Sequence, residues 1–321
     1  MTQSAVAKDW RSFEQLGAGV YPTPIEEMPR LRAALGGGPR LFIKRDDYTG
    51  PGFGGNKVRK LEFVLAAARA EGADVVLTIG GIRSNHARVT AALSAKAGLE
   101  CHLILNGDAA PMPASTYLDE LYGATIHHVV RGDQRKPTME RIADELRASG
   151  RKPCAIPLGA SVPLGALGYM RAAEEIATSG IVFDALFHST SSGGTQAGLV
   201  AGLAGSPTKV IGVSADDTAI DIAARVARIA AGVADLLGRK IDPKIEVDAG
   251  FIGAGYGIAT PEGEEALDLF ARCEGVILDP VYTAKAAAGV IARVRAGEFR
   301  EGQNVLFLHT GGQLALFSRS A

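Results

Sequence analysis

The sequence predicts an α/β protein of two lobes, with parallel-rich sheets flanked by helices and a cleft between the lobes. Three observations carry this. Short apolar runs alternate with stretches of helical periodicity from about residue 41 to residue 308, the pattern of parallel strands joined by helical crossovers. The runs are apolar throughout, as in strands covered on both faces. Glycine pairs fall at their ends: Gly54-Gly55, Gly80-Gly81, Gly193-Gly194 and Gly311-Gly312. Open α/β sheets bind ligands outside the carboxyl ends of their strands, so a site is expected among those pairs.

The elements follow in order. Residues 1–40 read as irregular, with Tyr21-Pro22-Thr23-Pro24 a stiff extended lead-in and Gly36-Gly37-Gly38 a turn. Residues 41–45 read as a strand closed by Asp46-Asp47. The stretch 54–62, GGNKVRKLE, opens with two glycines that allow a tight turn and room for a flat ligand. A helix follows, with Leu61, Val64, Leu65 and Ala68 at i, i+3, i+4, i+7 as its buried face and Gly72 as its stop. Residues 75–79 form a strand, and a helix over 85–96 ends at Gly98. Strand 101–105, helix 116–122, strand 125–130, helix 139–149 and strand 154–157 come next. Helix 166–178 and strand 183–188 lead into a Gly/Ser/Thr loop and helix 195–204. Strand 209–214, an Ala-rich helix 217–237, strand 244–247, helices 261–272 and 283–297, and strand 305–308 complete the chain. No repeat, low-complexity linker or clear boundary interrupts it.

The composition sets limits on function. At 321 residues the chain suits one or two domains of roughly 100–200 residues. A net charge of -1 offers no electrostatic reason to expect nucleic acid or an anionic membrane. No apolar run reaches the roughly 18 residues of a span, and the first ten residues, MTQSAVAKDW, lack the form of a signal peptide, so the expected compartment is the cytoplasm. Cys101, Cys154 and Cys273 are few, odd in number and far apart, and read as packing residues. The histidines show no ligand spacing, so no metal is expected.

Two stretches carry chemistry. Lys57 stands at the mouth of a helix, beside its positive end and close to Arg59 and Lys60. Positive surroundings favour the neutral amine, the form that makes a Schiff base with a carbonyl. Read alone, it is more readily a solvated lysine on a first turn. Residues 188–198, HSTSSGGTQAG, follow a strand and open a helix. Small residues leave convergent backbone N–H groups, and Ser191, Ser192 and Thr195 add hydroxyls, which makes a phosphate cradle. No Lys-Ser/Thr follows, so it is not a Walker loop. A phosphate cradle and a Schiff-base lysine together point to pyridoxal phosphate. A dehydrogenase of the Rossmann type is disfavoured, since no GxGxxG follows the first strand.

The chain resembles the pyridoxal-phosphate family of D-cysteine desulfhydrase, 1-aminocyclopropane-1-carboxylate deaminase and L-cysteate sulfo-lyase. The matching stretches are GGNKVRKLE (54–62), GGIRSNHAR (80–88), the loop GASVPLGALGY (159–169), SSGGTQAGL (191–199), GYG (255–257), DPVYTAKA (279–286) and HTGG (309–312). They keep the family's order and span nearly the whole chain. The resemblance implies a tryptophan-synthase-β-like (fold type II) architecture and a homodimer. It implies a larger cofactor-binding lobe of residues 1–62 and 166–321, a smaller lobe of residues 63–165, and an active site between them.

By the same resemblance, Lys57 bonds the cofactor and moves the Cα proton, Lys60 reaches its phosphate, and Asn85 meets its 3′-oxygen. Ser84 resembles the site for the substrate carboxylate. Ser192, Gly193, Gly194 and Thr195 match the phosphate loop. Tyr256 and Tyr282 resemble two tyrosines on the substrate side. His86 either assists the leaving group or is satisfied by solvent at a helix start. Deaminase-like members follow DPVY with Glu and have Leu before the closing Gly-Gly; Thr283 and Thr310 stand here instead. A carboxylate at the ring nitrogen makes a strong electron sink, whereas a hydroxyl supports a weaker one that suffices to expel a β-substituent. The expected reaction is therefore an α,β-elimination on a small amino acid, D-cysteine desulfhydrase-like, with L-cysteate sulfo-lyase and then the deaminase as alternatives. A catalytically weak sensor that binds the cofactor or an amino acid is the reading from another class.

Two departures stand out. Arg83 replaces the family's usual Gln, and either adds a cationic fork for a second acid or points to solvent or an acidic neighbour. Val162 follows Ser161 where relatives often have Asn.

Overall fold

The computed structural model describes residues 8–108 and 112–318; residues 1–7 of the N-terminal stretch read above for a leader lie outside them. The elements are β1 (Ile25–Glu27), α1 (Pro29–Ala34), β2 (Arg40–Lys44), α2 (Asn56–Ala70), β3 (Val75–Gly81), α3 (Asn85–Ala97), β4 (Glu100–Asn106), α4 (Ala114–Leu121), β5 (Thr125–Val129) and α5 (Arg135–Ala148). They continue with β6 (Pro153–Ile156), α6 (Pro163–Ala177), β7 (Ala185–Thr190), α7 (Gly194–Gly202), β8 (Lys209–Ser214), α8 (Ala219–Leu237), β9 (Glu246–Asp248), α9 (Pro261–Glu274), α10 (Thr283–Arg295) and β10 (Asn304–Leu308). Among the described residues no helix is long and apolar enough to cross a membrane.

Two sheets result. The larger runs β1-β2-β10-β7-β8-β9, parallel except for β1, and the smaller runs β5-β4-β3-β6, parallel throughout. The apolar runs have a direct cause. Successive side chains leave opposite faces of a strand. Phe42, Leu186 and Leu306 pack toward Ile222, Val226 and Val233 of α8. Their neighbours Ile43, Phe187 and Phe307 pack on the other side toward Phe270 of α9 and Val290 of α10. In the smaller sheet, Val76, Leu103 and Ile156 meet α2 and α3, while Val75, Leu77 and Ile104 meet Met139 and Ile142 of α5.

Several expectations change. Residues 1–40 are not wholly irregular: Ile25–Glu27 pairs antiparallel with Phe42, Ile43 and Lys44, and Pro29 opens a short helix. A three-residue strand is specified by its partner rather than by its own pattern, and Pro at the first helical position supplies the right φ in advance. The stretch expected as a loop over 159–169 is helical from Pro163 onward. The strand expected to end at 188 continues through Thr190, so the turn before α7 is shorter than it reads. Val162 flanks α6 and packs toward the core beneath the smaller sheet, away from the cavity wall. Cys101 lies in that core, and all three cysteines are free thiols.

Helix α2 is the structural centre. Its buried face is wider than the periodicity indicates, because Arg59, Lys60 and Glu62 are also buried. Arg59 donates to Asp46 at 2.7 and 2.8 Å and to Glu175 at 2.8 Å twice, while Lys44 pairs with Glu175 at 2.7 Å. Glu62 accepts the backbone N–H groups of Gly17 and Ala18 at 2.8 Å each. These charges tie α2 to α6, β2 and the N-terminal segment, and fix its first turn in space.

Candidate active site

One cavity of about 570 Å³ opens between the two sheets. Its wall is made by the carboxyl ends of β3, β4, β7 and β8 and by the segment after β10, as the glycine pairs led us to expect. Lys57 enters it from the first turn of α2. Gly55 caps that helix at φ +100, and a Cβ on Gly54 would stand 2.1 Å from the Asp47 carbonyl oxygen, so only glycine permits this turn.

Lys57 opens on the cavity while the protein packed around it displaces most of its water. Burial lowers its amine to about 8. The charges of Arg59 are not the cause, contrary to the sequence reading, since Asp46 and Glu175 neutralise them. No hydrogen-bond or ion-pair partner holds the Lys57 amine among the described residues. Lys60, one turn on, donates to Ser161 Oγ at 3.1 Å and to the Gly159 carbonyl at 3.3 Å. Burial, and then the neighbouring Lys57, push its pKa well down.

Opposite stands the turn between β7 and α7. Gly193 sits at φ +82, and the turn presents Ser191, Ser192, Gly193 and Thr195 to the cavity. Ser192 Oγ meets Ser161 Oγ at 2.6 Å, and Asn56 Nδ2 donates to Thr195 Oγ1 at 3.0 Å. Gly194 lies behind this surface, close against Ser161, and does not line the cavity.

The start of α3 supplies a third wall. Ser84 is the N-cap and its Oγ accepts from Ala87 N at 3.2 Å. Asn85 follows, its Oδ1 held by Arg88 Nη1 at 2.7 Å. His86 lines the cavity but is not solvated: it is buried, its Nε2 lies 2.8 Å from Thr78 Oγ1, and burial followed by Lys57 and Lys60 pushes its pKa well down. Both effects favour the neutral imidazole. Arg83 is exposed at the rim and makes no hydrogen bond or ion pair among the described residues.

On the far side the hydroxyls of Tyr256 and Tyr282 lie 2.6 Å apart. Lys285 Nζ donates to the carbonyls of Ala215, Ile252 and Gly255, and so pins the loop that carries Tyr256. Thr310 lines the cavity. Thr283 does not: its hydroxyl is 2.6 Å from Asp279 Oδ1, which also accepts the Thr283 backbone N–H at 2.8 Å. The expectation that both threonines face a bound ring is thus corrected for Thr283, whose side chain serves the turn entering α10.

A family model described as pyridoxal-phosphate dependent enzyme matches residues 16–311. The chain belongs to the pyridoxal-phosphate-dependent enzyme family. It is 39% identical, over 95% of its own length and 96% of the relative's, to a 1-aminocyclopropane-1-carboxylate deaminase of Methylobacterium nodulans. A crystal structure described as an ACC deaminase homologue superposes with a TM-score of 0.88 at 37% identity, covering 94% of this chain and 93% of that one. A threonine deaminase isoform from Solanum lycopersicum has a TM-score of 0.70 at 16% identity, over 97% of this chain and 88% of the other, and shares the fold.

The wall fits the family's cofactor. Ser189 Oγ and Thr190 Oγ1 are buried beside the cavity without hydrogen-bond partners. Buried polar atoms are rarely left so in a finished site. The unpartnered amine of Lys57, the glycine turn at the start of α7 and the amino group of Asn85 left free by Arg88 complete a donor set suited to an aldehyde, a phosphate and a ring oxygen. Bound there, pyridoxal phosphate supplies an aldehyde for the lysine and a ring that draws electrons from an amino acid's Cα.

Some residues that brace this site went unread in the sequence. Asn56, Arg88 and Lys285 stood inside motifs, and spacing hinted at Arg88, three residues from Asn85 on one helix face. Arg135 and Asp216 lie in no motif; folding alone brings them to the cavity.

Proposed function

We propose that this protein is a pyridoxal-phosphate-dependent lyase that carries out α,β-elimination on a small amino acid. D-cysteine is the simplest substrate, yielding pyruvate, ammonia and sulfide. The larger lobe (1–62 and 166–321) and the smaller lobe (63–165) would enclose the substrate between them, in a homodimer acting in the cytoplasm. Lys57 would hold the cofactor, and its amine would take the Cα proton of the amino acid. An amine near 8 is partly neutral at physiological pH, which suits a base. Lys60, Ser192, Gly193 and Thr195 hold the phosphate with the N-terminus of α7. Asn85 donates to the ring oxygen. Ser84 and the N-terminus of α3 orient the substrate carboxylate. The Tyr256–Tyr282 pair stands where a proton can be handed to the departing group.

The observation that supports elimination is the wall at position 310. Thr310 lines it, and Thr283 offers no carboxylate in its place. A neutral partner for the ring nitrogen leaves a weaker electron sink, enough to expel a β-substituent. Deamination of 1-aminocyclopropane-1-carboxylate is the second reading, favoured by the relative at 39% identity. Assay of the holoenzyme with D- and L-cysteine, cysteate, β-chloro-D-alanine and 1-aminocyclopropane-1-carboxylate separates them. Pyruvate from the β-substituted amino acids is expected; turnover of the cyclopropane acid alone overturns the proposal. An absorbance change on adding amino acids, with no product from any, favours a sensor.

A further inference from the structure

We propose that Lys285 acts as a built-in monovalent cation: its ammonium fills a cage of backbone carbonyls that positions the Tyr256 loop, and shortening the side chain turns that cage into a potassium site. The inference concerns the wall that bears Tyr256 and holds whichever amino acid the enzyme takes.

Lys285 lies in the first turn of α10, three residues after Tyr282, with its side chain buried. Its Nζ donates to the carbonyls of Ile252 at 2.7 Å, Gly255 at 3.0 Å and Ala215 at 3.2 Å. An ammonium has three N–H donors and no acceptor, so three carbonyls use it completely. A neutral amine would leave one of those carbonyls without a hydrogen. The oxygens come from two separate segments. Ala215 follows β8 and precedes Asp216, whose carboxylate accepts from Ser191 Oγ at 2.5 Å in the turn before α7. Ile252 and Gly255 belong to residues 249–259, which form neither helix nor strand between β9 and α9. One buried charge therefore ties this loop to the end of β8 and to α10, whose N-cap is Tyr282.

The electrostatics identify the group as a cation in its own right. The dipole of a helix disfavours a positive charge in its first turn, so a lysine there needs compensation. The carbonyl oxygens supply it. Burial draws the amine's pKa down, and the carboxylates of Asp216 and Asp279 oppose this. Rings of carbonyl oxygens also replace the water around a potassium ion, which is close to ammonium in size. With the stem removed, the cage keeps its three oxygens and gains room for the ion. Lys285 does not line the cavity; it is a positioning residue that acts through Tyr256, whose hydroxyl lies 2.6 Å from that of Tyr282.

The test is backbone amide exchange over residues 249–260 of the holoenzyme, followed by mass spectrometry in potassium chloride and in tetramethylammonium chloride, whose cation is too large for the cage. The wild type is expected to exchange at the same rate in both salts, because its cation is covalently attached. Lys285→Ala and Lys285→Ser should exchange about tenfold or more faster in tetramethylammonium, the effect of losing charge-assisted hydrogen bonds, and potassium should saturably restore the slow rate. Lys285→Met keeps a stem in the cage without the charge, and should stay fast in both salts. A wild-type loop that itself slows in potassium overturns the proposal. So does failure of both small variants to fold or to recover protection in potassium, and so does equal recovery in Lys285→Met, which would place the ion elsewhere.

Discussion

Arg88 Nη1 donates to Asn85 Oδ1 over 2.7 Å, and this fixes which end of the Asn85 amide faces the cavity. Arginine has only donors, so the atom it holds is the oxygen, and the amino group is left for a ligand. A Cβ on Gly312 would lie 3.1 Å from that nitrogen, which places it against the segment following β10. Arg88 is itself fixed by the Gly52 carbonyl at 2.9 Å. Replacing Arg88 with Met should weaken pyridoxal phosphate binding about tenfold, the effect of one well-made hydrogen bond. Asn85→Ala should cost about as much, and the double variant little more. Equilibrium titration of apoprotein with cofactor measures all three; additive losses would argue against the coupling.

The amine of Lys57 dictates a pH profile. Its proton is bound more weakly than an ordinary lysine's because burial disfavours the charge. With a value of about 8, roughly a tenth of the amine is neutral at pH 7 and roughly nine-tenths at pH 9. The rate at which apoprotein captures the cofactor aldehyde should therefore rise about tenfold between pH 7 and 9 and then level off, if the amine limits that rate. An ordinary lysine would give about a hundredfold rise with no plateau in that range. Stopped-flow absorbance distinguishes the two, and Lys57→Ala should abolish the band.

The two threonines should respond differently. Thr283 joins Asp279 at the start of α10, so Thr283→Val should lower stability by about 1–2 kcal/mol, as loss of a cap does. Thr283→Ser should largely restore it. Thr310 lines the cavity, so Thr310→Val should lower kcat with little change in unfolding midpoint. Urea denaturation and steady-state assays on the same preparations check both.

Arg59 stands in the most specific motif yet is a structural residue. Arg59→Met leaves Asp46 and Glu175 buried without their main partner and should cost about 3–5 kcal/mol. Denaturant midpoints read this directly. A variant that kept its stability but lost activity would return Arg59 to the site.

The order of strands and helices could be read before any coordinates, because doubly covered parallel strands are apolar on both faces. The glycine turns could also be read, because close backbone approach admits few residue types, and the motif put Lys57 at the mouth of its helix. Elements defined by a partner could not: Ile25–Glu27 is a strand only because Phe42, Ile43 and Lys44 lie beside it. Residue roles within a motif were equally hidden. Thr283 and Thr310 both read as facing a ring, but one hydroxyl is taken by a carboxylate four residues back.

What the sequence determined by itself was the alternation of elements, with a lysine at the start of one helix and a glycine turn at the start of another. Those follow from local periodicity and from chemistry that few side chains can do. What only the tertiary structure decided was which charges are paired inside the protein and which are left exposed. Arg59 and Arg83 look alike in a motif. Folding sets Asp46 and Glu175 against the first and leaves the second at an open mouth, because burial obliges a charge to find its counterpart while a rim does not.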